Sequence, residues 1–226
     1  MLSFAYHASS SQPTLAYAQN SGAGTKVEYA EYNGSAWTIS DAVGNDSNNS
    51  YDIEQVALVY TTSSEPLIFY PGLSAISGGD RIYYTYRFKT DWTWKTVVVD
   101  NIKHSQTFIG IDAVKDSSGI IWASYSGYYG DLRYAKYGTT LPTSTIYTTA
   151  STTWNSIAIV NSNPAAAWYD STNGDLRYGT YSAGVWTAES VSSTNDVGQY
   201  ASLSSLSGSP FISYYDVTHA NESFIS

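Results

Sequence analysis

Apolar and polar residues alternate with period two along short stretches of this chain. Leu132 and Tyr134 alternate with Arg133 and Ala135, Leu176 and Tyr178 with Arg177 and Gly179, and Val27 and Tyr29 with Glu28 and Ala30. Successive side chains of a β-strand point to opposite faces, so this spacing predicts strands with one face more buried than the other. No apolar period of 3.6 residues persists for three turns, which leaves helices no major part. The strand-like segments are rich in β-branched, aromatic and small residues and are bounded by Gly, Asn, Asp, Ser and Pro. In the stretch 151–195, strands are expected near Asn155 to Val160, Ala165 to Tyr169, Leu176 to Tyr181 and Val185 to Val191.

The segments recur. Pro164-Ala-Ala-Ala-Trp-Tyr-Asp170 aligns with Ile120 to Ser126, Pro210 to Asp216, Pro66 to Gly72 and Pro13 to Gln19, and Gly130 to Tyr134 repeats as Gly174 to Tyr178. Five units of roughly 45 to 55 residues, four short strands each, have the arithmetic of a β-propeller, in which radial repetition leaves only short sheet edges. The expected fold is therefore all-β, a single five-bladed propeller domain over residues 1–226. Its blades fall near 1–45, 46–103, 104–150, 151–195 and 196–226. Aligning Asp216 to Ser226 with Asp170 to Thr180 ends the chain inside the third strand of the last blade, so that blade is expected to be incomplete here, and a longer ring or chains that complete one another are both open.

Tyr200 to Leu203, Gly208 to Asp216 and Gly130 to Ala135 resemble the repeats of uncharacterised bacterial and archaeal propeller proteins, in which segments of the type SYYD and GDLRYA and a following Trp recur. Propeller lectins of fungi and invertebrates are similar in architecture. That resemblance implies a sugar site at or between blades, but one fold hosts many activities, and no sugar-contact set of a particular lectin is matched.

Composition narrows the function classes. Ten Lys plus Arg against 19 Asp plus Glu give a net charge of −9. Without a basic patch to neutralise phosphates, nucleic acid is not an expected partner. The absence of Cys removes disulfide scaffolds, thiol nucleophiles and Cys-ligated metal. Neither an apolar run long enough to span a membrane nor a signal peptide is visible at the start of the chain. An extracellular or cell-surface setting suits the acidic, Ser/Thr/Tyr-rich surface, and the cytoplasm is also compatible.

Seven Trp, 22 Tyr and six Phe supply what a saccharide needs, because the C–H face of a sugar ring packs on an aromatic ring while Asp, Asn and Arg take its hydroxyls. The candidate ligand residues are Tyr125, Arg133, Trp168, Tyr169, Asp170, Arg177, Trp186, Tyr214, Tyr215 and Asp216, with Tyr128, Tyr129, Trp37 and Trp94 as further rings. Aromatics at fixed repeat positions also pack between blades, and packing is the competing role for each of them. Asp170-Ser-Thr-Asn-Gly-Asp175 groups oxygen donors around a Gly but lacks calcium-loop spacing, so it reads as a hairpin turn in which Asp bonds its own backbone. Neither metal nor cofactor is expected. His7, His104 and His219 stand without a recognisable catalytic order. A glycosidase of sialidase type would need two carboxylates, or a Tyr with a carboxylate, across one pocket and converging arginines. Arg133 and Arg177 occupy equivalent positions on different blades. The sequence thus favours a non-catalytic, multivalent glycan-binding propeller with glycans or glycoconjugates as partners, and leaves catalysis undecided. The alternatives are a structural or adhesive module, which admits homo-oligomers, and, with less support, a hydrolase.

Overall fold

A computed structural model describes residues 2–7, 9–20, 25–46, 55–73, 80–87, 90–101, 110–127, 130–137, 143–148 and 151–226. His104, Tyr128 and Tyr129 lie outside them. The chain divides into two compact units, Met1–Lys103 and His104–Ser226.

The first unit holds two sheets. One runs β1 (Leu2–Tyr6), β2 (Pro13–Asn20), β3 (Thr25–Tyr32) and β4 (Trp37–Asp46), and the other β5 (Ala57–Tyr60), β6 (Pro66–Leu73), β7 (Asp80–Arg87) and β8 (Trp94–Asn101). In the second unit β9 (Ile111–Lys115), β10 (Ile121–Ser126), β11 (Leu132–Tyr137) and β12 (Thr143–Tyr147) form a third sheet. The fourth is β13 (Thr152–Val160), β14 (Asn163–Asp170), β15 (Asp175–Ser182) and β16 (Val185–Ser192), and the fifth is β17 (Val197–Leu206), β18 (Ser209–Asp216) and β19 (Asn221–Ile225). Every strand pairs antiparallel with its chain neighbour, so the five sheets coincide with the five expected blades and the fifth has three strands. Among the described residues no helix is long and apolar enough to cross a membrane.

Short turns with positive φ make this up-and-down order possible. Asn161 and Ser162 (φ 46° and 65°), Ala183 and Gly184 (50° and 89°) and Ser207 and Gly208 (52° and 83°) have two consecutive left-handed residues, whose twist matches the flanking strands of a two-residue hairpin. Asp170 closes the next turn as its sequence suggests. Its Oδ1 accepts the N–H groups of Thr172 and Asn173, and Gly174 supplies φ 73°.

A bulge marks the third strand of each four-stranded sheet at one position, between Val27 and Glu28, Ile82 and Tyr83, Leu132 and Arg133, and Leu176 and Arg177. The apolar residue before it is fully buried in all four. The bulge re-aims the residue that follows and brings Arg133 and Arg177 into the equivalence expected of them. The third blade departs from the simple alignment by one residue. Ser126 pairs with Leu132, whereas Tyr169 pairs with Leu176, because the turn after β10 is one residue shorter. Trp122 thus stands where Ala165 stands, and Ser126 where Tyr169 does.

Within each unit one blade's far face meets the next blade's near face. In the first unit Ala16, Val27 and Tyr29 pack with Val56, Leu58, Ile68 and Tyr70. Inside that layer the Tyr29 hydroxyl donates to Tyr60, Tyr60 to Thr14, and Thr14 to the Ala5 carbonyl. Burial raises the pKa of Tyr29 first, and its bond to Tyr60 adds to this. In the second unit Trp122, Leu132 and Tyr134 meet Ile157, Ala166 and Trp168, and Ala165 and Ala167 meet Ala201, Leu203 and Ile212. Small residues oppose large ones, as dense packing requires. Gly179 is small for the same reason, since a Cβ there would lie 3.3 Å from the Trp168 ring and 2.9 Å from the Thr187 carbonyl oxygen.

Candidate functional site

The inner strands of blades four and five each break register, β13 between Thr153 and Ser156 and β17 between Gln199 and Ser202. Trp154 and Tyr200 sit in these breaks with φ 45° and 55°. An L-residue in the left-handed region costs about 1–2 kcal/mol, and such strain in a large aromatic residue marks a place where side-chain direction matters more than local stability. Trp154 lies 5.6 Å from Tyr169 of its own blade, Tyr200 lies 6.4 Å from Tyr215 of its own blade, and Trp154 and Tyr200 meet at 4.7 Å. Four rings, Tyr169, Trp154, Tyr200 and Tyr215, therefore run across two blades. Tyr200 is 58% exposed while Tyr169 is buried. The Tyr169 hydroxyl donates to the Asp196 carboxylate at 2.6 Å. Burial and that carboxylate push its pKa up to about 12.

Beside Tyr200 the far face of blade five opens into a hollow of about 370 Å³ lined by Tyr200, Ser213, Tyr214, Tyr215 and Glu222. Register explains the grouping, because Tyr215 pairs with Glu222 on β19 and Ser213 with Ser202 on β17. The lining combines ring surface, hydroxyls and one carboxylate. Next along the strand, Asp216 is engaged by the turn that follows, where the His219 N–H donates to Oδ1 and His219 Nδ1 lies 2.7 Å from Oδ2. These bonds to His219 hold the Asp216 carboxyl below its ordinary pKa. His219 is thus paired rather than isolated.

The ten candidates separate by burial and partner. Tyr125 and Trp168 have no exposed surface and serve as core. Asp170 is fully buried under its own turn and lies 3.3 Å from Arg177, whose other nitrogen lies 3.3 Å from Asp175. The Arg177 guanidinium also covers the Tyr147 ring at 5.1 Å. Arg133 faces Asp131 of its own blade at 3.9 Å, whereas Arg177 joins carboxylates of its own blade to the Tyr147 ring of blade three. Trp186 stands 5.7 Å from Tyr134 and from Tyr181, in the cluster where Lys136 lies 4.3 Å over Trp122 and 4.5 Å over Tyr181. Tyr169 joins the ring ladder, Tyr215 lines the hollow, Tyr214 borders it while packing against the layer between blades four and five, and Asp216 adjoins it. Trp154, Tyr200, Ser213 and Glu222 were not among the candidates. The signal for the first two was present in their spacing, one repeat apart at the same distance before Pro164 and Pro210.

The first unit carries a separate aromatic cluster. The Arg87 guanidinium lies 4.9 Å over Tyr29 and 4.8 Å over the exposed Trp92, and pairs with Glu31 at 3.0 Å. Trp94 lies at its edge, 5.6 Å away.

No protein-family model matches this chain, and no curated protein does. Solved structures do. A mutant of AofleA from Arthrobotrys oligospora superposes with TM-score 0.64 at 13% identity, over 100% of this chain and 68% of that one. The chain has the β-propeller fold. The endo-arabinase from Bacteroides thetaiotaomicron gives 0.56 at 14% identity over 99% of this chain and 91% of that one. The Aleuria aurantia lectin in complex with Fucalpha1-6GlcNAc gives 0.53 at 13% over 97% and 80%. At such identities the likeness is one of fold, and a lectin and a hydrolase share it, so function has to be argued from the side chains.

Proposed function

We propose that the protein binds saccharides without transforming them, through the aromatic ladder and the hollow of blades four and five. The observation that carries this reading is the hollow itself, where exposed Tyr200 and its neighbour Tyr215 offer ring faces beside Ser213 and Glu222. Ring faces take the apolar side of a pyranose, and the hydroxyls and carboxylate take its polar edge, which is how a concave site with a few convergent polar groups achieves orientation. Among the described residues one carboxylate lines the hollow and no arginine does. That supports binding over a two-carboxylate hydrolysis. Exposed Trp92 over Arg87 in the first unit offers a second, weaker platform, and two modest sites on one chain gain avidity when a glycan array engages both. Acting on glycans at a cell surface or outside the cell suits such a protein.

Calorimetric titration with a panel of mono- and oligosaccharides, an α-fucoside included because of the Aleuria lectin, tests the reading. Saturable binding is expected, accompanied by a change in tyrosine and tryptophan fluorescence. Absence of binding across the panel, or turnover of a glycoside substrate that is lost in Glu222→Gln, would overturn it.

A further inference from the structure

Within each unit a blade has a near face and a far face, and among the described residues the near face of the first blade and the far face of the fifth carry exposed apolar side chains. On the first blade, Ser3 and Ala5 point to the far side, where the Ser3 hydroxyl accepts the Leu58 N–H at 2.9 Å and Ala5 joins the layer with Val56 and Leu58. The alternate residues Leu2, Phe4 and Tyr6 point to the near side and are between 50% and 62% exposed. Cross-strand register continues that side through Leu15, opposite Phe4, to Ala30 and Ile39. Four large apolar side chains, Leu2, Phe4, Tyr6 and Ile39, stand in solvent there, and the row that starts at Leu2 continues through Tyr17 to Glu28 and Asp41, which Lys26 pairs.

On the fifth blade the near side, Leu203 and Ile212, is covered by Ala165 and Ala167 of blade four. The far side carries Ser204 opposite Phe211, Leu206 opposite Ser209, and Phe224 opposite Ser213. Phe211 and Phe224 stack at 5.6 Å, and Leu206 and Phe224 are 66% and 72% exposed. Exposed rings grouped in this way mark an interaction surface rather than scattered surface residues.

We propose that copies of this chain associate head to tail, the near face of one copy's first blade packing on the far face of another's fifth blade. The occupant follows from the repeat. A blade's far face is covered by the next blade's near face three times within this chain, by blades two, four and five, and the first blade presents the near face that continues the series. The connections from β1 to β2 in the first blade and from β17 to β18 in the fifth mark the same end of each sheet. Tyr6 and Phe4 therefore come to the end where Leu206, Phe211 and Phe224 stand. The saccharide hollow adjoins this patch, since Ser213 in its lining pairs with Phe224, and becomes a cleft at the junction. The contact is heterologous, since the two surfaces differ, and such contacts build rings or open chains rather than isologous dimers.

Sedimentation from low micromolar to near-millimolar protein tests this without any saccharide. The average mass is expected to rise with concentration in the parent, and to stay at the monomer value in Phe4→Glu and in Phe224→Glu, each a surface substitution whose folding circular dichroism checks. Mixing the two variants is the decisive arm. Each retains the face the other has lost, so the mixture forms a dimer of one copy of each and nothing larger. A parent that remains monomeric throughout overturns the proposal, as does association that survives both substitutions or a mixture that stays monomeric.

Discussion

Replacing Tyr200 by glycine separates architecture from recognition at the centre of the aromatic ladder. The ring makes two contacts, at 4.7 Å with Trp154 and 6.4 Å with Tyr215, and aromatic pairs contribute about 0.5–1.5 kcal/mol each beyond area burial, with the longer contact at the low end. Against that loss stands the backbone, because Tyr200 has φ 55° and glycine removes a left-handed strain of about 1–2 kcal/mol. The two terms nearly cancel, so net stability is expected to change by no more than about 1 kcal/mol, which for a chain of this size is a shift of roughly 2–4 °C in Tm. Binding has no such compensation. A central aromatic anchor costs about 2 kcal/mol or more when truncated, which is about a 30-fold rise in Kd for the best saccharide of the panel. Tyr200→Phe keeps the ring and retains most of the affinity. Calorimetry and a thermal melt on the same three proteins decide the matter. An affinity for the glycine variant within about threefold of the parent's, under 1 kcal/mol, would refute the assignment of the hollow. A Tm loss beyond about 8 °C, more than 2 kcal/mol for a chain of this size, would show that the ring is chiefly architectural.

Two further outcomes follow from the structure. Trp168→Ala is expected to destabilise the second unit by about 3–5 kcal/mol, as for other buried large-to-small changes, measured by denaturant titration, while leaving saccharide affinity intact where the protein is folded. Tyr169 makes stability fall at high pH. Below pH 10 its phenol is protonated in both states, the unfolded chain releases the proton near 10, and the folded chain holds it to about 12. Stability contributed by that phenol is therefore lost as pH rises from 10 to 12, and Tyr169→Phe flattens this part of the denaturation profile.

Strand order, blade count and the turn around Asp170 were legible because each rests on local chemistry. Alternation of apolar residues sets faces, Gly and Asn supply positive φ, and a segment that recurs five times along the chain marks one unit used five times. The one-residue slip in the third blade was hidden because a shorter turn moves a strand without altering its composition. Most of the candidate site was hidden as well. Tyr125, Tyr214 and Tyr215 are alike as letters, yet Tyr125 is core, Tyr214 packs against the layer between blades four and five, and Tyr215 lines a hollow, since side-chain burial depends on whether another blade covers that face. Ser126, Tyr169 and Tyr215 occupy equivalent positions on their blades, and Tyr169 spends its hydroxyl on Asp196 because blade five brings that carboxylate up to it. Sequence by itself determined the blades and the supply of rings. Tertiary structure alone decided which rings remain free for a ligand, because a repeat fixes what each blade contains and only the neighbouring blade fixes what it exposes.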